Sequence, residues 1–80
     1  VSYNVITLPV YDQPGGTITE VPGSYADALL AAVLAAKGMD MRPLNHMAVA
    51  RLHKYSPLQA WELYDGDEKM SLLTIQEAAA

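Results

Sequence analysis

Nine consecutive apolar residues, Ala28 to Ala36 (ALLAAVLAA), lie between a helix start signal and a helix stop signal in a chain of 80 residues. Ser24 is a favourable N-cap, and Asp27 three residues on completes an Asp form of the capping box. Lys37 suits the negative end of the helix dipole, and Gly38 can take the left-handed conformation that closes a helix. The pattern predicts a helix over about 25–37. A chain this short has little material with which to cover it. On a helical wheel the segment has two faces. Leu29, Leu30 and Val33 form a large-residue face, with Ala26 at its edge and Leu34 flanking it, while Ala28, Ala31, Ala32 and Ala35 gather opposite. The large face is expected to pack on the N-terminal part of the chain. The alanine face is open to three readings. It receives a second helix of the same chain, stays in water because alanine is the best helix former, or forms a homodimer through Ala28, Ala31, Ala32 and Ala35.

Around this helix the sequence predicts a sheet and further helices. Residues 3–11 (YNVITLPVY) are rich in β-branched and aromatic types and read as a strand, with Tyr3, Val5, Thr7 and Tyr11 on one face and Asn4, Ile6, Leu8 and Val10 on the other. Gln13-Pro14-Gly15-Gly16 supplies a turn and TITEV (17–21) a returning strand. Pro9 offers no N–H, which predicts a sheet edge or a bulge at that point. Arg42-Pro43 reads as the start of a second helix, its buried stripe running through Leu44, Met47, Ala48, Leu52 and Tyr55. Ser56-Pro57-Leu58-Gln59 carries three helix start signals and predicts a short helix ending near Asp65-Gly66, followed by a strand at about 69–74. The competing reading makes residues 60–64 and 69–75 a hairpin joined through Asp65-Gly66. The expected fold class is a single α+β domain over residues 1–80: an N-terminal β-hairpin, a central buried helix, one or two shorter helices and a late strand.

Charge is segregated. The net charge is −4, but residues 37–54 are net +3 through Lys37, Asp40, Arg42, Arg51 and Lys54. Residues 55–80 are net −4, carrying Glu62, Asp65, Asp67, Glu68 and Glu77 against Lys69. Such asymmetry can mark a contact surface. There is no cysteine, so disulfides, thiolate metal sites and cysteine nucleophiles are excluded, in keeping with a reducing cytoplasm. The nine-residue apolar run is far short of the roughly 20 needed to span a bilayer, and no basic segment precedes it as in a signal peptide. A soluble, cytoplasmic chain is the expectation.

Residues with chemical potential have plainer readings beside the functional ones. His46 and His53 are seven apart on one expected helix, but zinc on a helix favours His at i and i+4, and a third ligand from Asp40 or residues 62–68 would be needed. Asp65-Gly66-Asp67-Glu68 resembles calcium-loop chemistry without the twelve-residue ligand pattern, so a solvated turn suffices. Ser2, Ser24, Ser56 and Ser71 lie in neither GxSxG nor SxxK, and Gly15-Gly16 is too short to cradle a phosphate. No cofactor is implied, and an enzyme is not expected. The run Ser71 to Ala80 (SLLTIQEAAA) resembles the opening of excisionase-type winged-helix domains, where Leu-Thr-x-x-Glu-Ala-Ala starts the first helix. Covering ten residues only, that resemblance implies a capping box of Thr74 and Glu77 and no function.

The functional expectation is a non-enzymatic protein-binding regulator or inhibitor, acting stoichiometrically on a protein partner. In size and character it is similar to small phage or mobile-element inhibitors. Its binding surface is expected to combine the basic 42–54 segment (Arg42, His46, Arg51, Lys54), Trp61, and the acidic turn with Glu62, Asp65, Asp67 and Glu68. Trp61 also has a core reading, and core packing is the default for such a residue. Two alternatives stand beside the regulator: a nucleic-acid-binding regulator using the 42–54 segment, and a structural subunit self-associating through the central helix.

Overall fold

The computed structural model describes residues 1–9, 15–44 and 56–78. Five strands and one helix run in the order β1 (Ser2–Pro9), β2 (Thr17–Pro22), α1 (Tyr25–Ala35), β3 (Asp40–Pro43), β4 (Gln59–Asp65) and β5 (Glu68–Glu77). The strands form one sheet, ordered β2-β1-β5-β4-β3, and every neighbouring pair is antiparallel. The helix connects the β2 edge to the β3 edge and packs on one face of the sheet.

This corrects the expected fold class. The protein is mostly an antiparallel sheet with a single short helix among the described residues, not a helix-rich α+β domain. The expected short helix at residues 57–65 is overturned, and so is the start expected for the second helix. Residues 59–65 are strand, not helix, because Ser56 takes φ +47, outside the extended conformation an N-cap needs. Ser24, a working cap, has φ −84 and ψ 167. The hairpin reading is the correct one: β4 and β5 meet at Asp65↔Glu68 around Gly66, which takes φ +62. A local cap contributes roughly 1 kcal/mol. Burying Trp61 and Leu63 on one face of β4 outweighs that. Arg42-Pro43 likewise closes a short edge strand instead of opening a helix, and the Leu44 N–H donates to Ala60 O at 2.9 Å. The remainder of the expected second helix lies outside the described residues. The capping box inferred for Thr74 and Glu77 fails too, since both lie within β5, and Thr74 Oγ1 donates to Gln59 O at 2.9 Å.

The N-terminal hairpin forms as expected among the described residues, and α1 starts where expected but ends at Ala35, short of residue 37. Asp27 N–H donates to Ser24 Oγ at 3.3 Å, and Ser24 N–H donates to Asp27 Oδ2 at 2.9 Å, completing the box. β1 is not at an edge, but β2 accompanies it only as far as Thr7↔Thr17, so Pro9 falls where that ladder has ended.

The core lies between α1 and the sheet, and its packing reverses the expected orientation of the helix. Ala28, Ala32 and Ala36 are buried against Val5, Trp61, Leu63, Leu73 and Ile75, with Tyr3, Val21 and Met41 around them. The sheet supplies the large side chains, so the helix must supply small ones for the layers to interdigitate at native density. The alanine face is therefore the core face. A smaller cluster lies on the opposite face of the sheet, where Ala60 is buried among Leu8, Leu44 and Leu72, beside buried Ile6 and Thr74. The central run Leu72-Leu73-Thr74-Ile75 is thus covered on both sides, with the Thr74 hydroxyl hydrogen-bonded within the sheet.

Candidate functional site

Turning its alanines inward leaves α1 with Leu30, Val33 and Leu34 outward, while Leu29 and Tyr25 pack at the margin of the core. Leu30 is 63% exposed, Val33 55% and Leu34 71%. These three occupy i, i+3 and i+4, so they form one stripe along the outer side of the helix. Asp27 lies at one end of the stripe and Lys37 just beyond the other. Burying such side chains would each contribute about 1.5–3 kcal/mol. Placing three together in water is therefore costly unless another surface covers them. The helix that carries the stripe is well fixed: its N-terminus is capped, and its inner face is part of the core. Tyr25, on its first turn, is held by an edge-to-face contact with Tyr3, ring centroids 5.4 Å apart, and donates from its hydroxyl to Gln59 Oε1 at 3.0 Å. Burial pushes the Tyr25 phenol above its ordinary range, and the neighbouring Tyr3 adds to the shift.

The residues expected from the sequence to form a binding surface are distributed differently. Arg42 on β3 pairs with Asp40, Nε to Oδ2 3.0 Å, donates from Nη2 to Gly66 O at 3.2 Å, and stacks over the Tyr64 ring with Cζ 3.8 Å from its centroid. Glu62 on β4 forms an ion pair with Lys69 on β5. Asp65, Asp67 and Glu68 are exposed around the β4–β5 turn. The structure thus brings Arg42, half-buried Glu62 and the exposed acidic turn to one end of the sheet, where Arg42 pairs with Asp40 and Glu62 with Lys69. Such pairs contribute about 0–1 kcal/mol each. Trp61 is not part of that surface; it is 6% exposed, in the core on the α1 side. His46, Arg51 and Lys54 lie outside the described residues. Among the described residues, no three histidine or carboxylate side chains are grouped to hold a metal, and no helix is long and apolar enough to cross a membrane.

The alanine positions proposed for a homodimer are also relocated. Ala28 and Ala32 are fully buried in the chain's own core, and Ala31 and Ala35 are half-buried at its margin. Ala28 and Ala32 are therefore out of reach of a second copy while the helix is docked. The outer stripe was missed because residue size alone suggested that the leucines would turn inward; the signal available was the excess of large residues in the strands, which left room only for alanine. Comparison with protein-family models, curated proteins and solved structures finds no match to this chain.

Proposed function

We propose that the chain is a non-enzymatic protein-binding module, a small regulator or inhibitor that acts stoichiometrically, and that it binds through the outer face of α1. The observation that carries this reading is the exposed stripe of Leu30, Val33 and Leu34 on a capped helix. Helix-in-groove recognition uses anchors at this spacing, and the partner it calls for presents an apolar groove. The charged set at the β3–β4–β5 end adds exposed charges, which tune association rate and specificity more than affinity. The nucleic-acid alternative rests on residues outside the described part apart from Arg42, whose guanidinium is already engaged by Asp40, Gly66 and Tyr64. We also keep the cytoplasm as the compartment, on the cysteine-free composition; recovery of the chain in a membrane or extracellular fraction would count against it.

The test is affinity capture from native lysate with the wild-type chain and a Leu30→Glu/Leu34→Glu variant, whose fold is checked by circular dichroism. A protein retained in stoichiometric amount by the wild type and lost with the folded variant supports the reading. Retention of no protein, alongside salt-sensitive DNA binding, would replace it with the nucleic-acid alternative. The mass of the isolated chain in solution identifies the self-associating version: a dimer that the same variant dissolves makes a second copy the occupant of the stripe.

A further inference from the structure

A pocket of about 480 Å³ opens at the end of the sheet beyond the C-terminus of α1. Its volume is in the range of small-molecule sites. Lys37, Thr17 and Ser71 contribute its polar lining, and Met39, Leu63 and Met70 are among the apolar side chains that form the rest. No aspartate or glutamate lines it among the described residues, although the chain as a whole is net −4. Every polar side chain in the lining is able to donate a hydrogen bond, and none carries a negative charge. Lys37 is an ammonium, and Ser71 offers a hydroxyl. The Thr7 and Thr17 hydroxyls share one hydrogen bond of 2.6 Å, leaving one further hydroxyl hydrogen between them. Neither the Lys37 ammonium nor the Ser71 hydroxyl has a side-chain partner among the described residues.

The backbone carries a second, independent sign. Lys37 takes φ +53, a left-handed conformation disfavoured for a residue with a β-carbon, and Gly38 immediately after it takes φ +80. Glycine at position 37 would close the helix with less strain. A lysine held there against its conformational preference, in the lining of a pocket, fits the tendency of strained residues to gather at functional sites.

We propose that this pocket binds an aliphatic monocarboxylate. Its carboxylate pairs with the Lys37 ammonium and accepts from the Ser71 hydroxyl and from the one free hydroxyl hydrogen of the Thr7–Thr17 pair, while its chain lies along Met39, Leu63 and Met70. One cation matches a single negative charge; a phosphate dianion would be left undercompensated. The apolar lining matches an alkyl chain, which the exposed α1 stripe does not contact, so this site and the protein-binding reading stand independently.

The experiment is a titration of the whole chain with decanoate below its micelle threshold, followed through the methionine methyl NMR signals. Decanol at the same concentrations serves as the uncharged control. Saturable shifts confined to Met39 and Met70, at least tenfold weaker affinity for decanol, and a similar loss in Lys37→Gly and Lys37→Gln are expected. Lys37→Gly relieves the backbone and should keep or raise the urea midpoint, so loss of binding there reports the missing charge and not unfolding. The proposal is overturned by unshifted Met39 and Met70 signals, by decanol binding as tightly as decanoate, or by both Lys37 variants binding like the wild type.

Discussion

Ala32 is fully buried beneath α1, and Leu30, two residues earlier on the same helix, is 63% exposed. The smaller side chain occupies the core and the larger one the surface, an inversion that follows from what the sheet presents. Val5, Trp61, Leu63, Leu73 and Ile75 already fill the space below the helix. Leucine at position 32 would overpack that layer, and we expect Ala32→Leu to cost about 1–3 kcal/mol. Leu30→Gln should change stability by no more than about 0.5 kcal/mol. Urea denaturation of the two variants measures both; the opposite ranking would mean that the helix docks by its leucine face.

The start of α1 depends on a close local arrangement. A Cβ on Gly23 would run into the Asp27 carboxylate, and Gly23 also takes φ +111. Gly23→Ala should therefore destabilise the protein by more than Ser24→Ala, for which loss of the cap costs about 1 kcal/mol. Thermal melts of both variants check the order. Equal melting temperatures would show that the Gly23 conformation and its contact with Asp27 add nothing beyond the loss of the cap.

Thr74 ties β5 to β4 from within the sheet. Its buried hydroxyl donates to Gln59 O, and valine has nearly the same shape without the donor. Thr74→Val removes that bond, at an expected cost of about 0.5–1.5 kcal/mol. A neutral or stabilising effect in urea denaturation would mean that the apolar surroundings of Thr74 reward the lost hydroxyl more than the bond did.

Tyr25 gives the protein an alkaline limit. Its phenol is raised above the ordinary 10.0, mainly by burial and further by Tyr3. Below that ordinary value both folded and unfolded chains hold the proton, so the contribution to stability is complete. Above it the unfolded chain releases the proton first, and stability falls as pH rises through the folded value. Tyr25→Phe should flatten this alkaline decline, measured as the urea midpoint against pH. A decline equally steep in the variant would assign it to other groups.

How much of this was legible beforehand varies from element to element. Ser24, Asp27 and the apolar run located α1, and the β-branched residues of β1 and β2 with the Pro-Gly-Gly between them located the first hairpin. Both depend on interactions within a few residues of each other. Ser56-Pro57 and Thr74-Ile75-Gln76-Glu77 carried equally good local signals that proved wrong. Each lost to partners far along the chain: β4 found β5, and β5 found β1, where Asn4 Nδ2 reaches Gln76 Oε1 at 3.5 Å. The binding surface expected from charge was only partly assembled, because strand alternation sends Trp61 to the core face and leaves Glu62 facing the other way.

By itself, then, the sequence determined that this chain would have a capped, two-faced helix following a β-hairpin, since capping and side-chain periodicity are local properties. Which face of that helix entered the core was decided only by the tertiary structure. Leucine and alanine are both apolar, so the choice depended on the volume left over a five-stranded sheet whose own residues are large. That outcome exposed Leu30, Val33 and Leu34, and it set Lys37 in the lining of a pocket assembled from five separate parts of the chain.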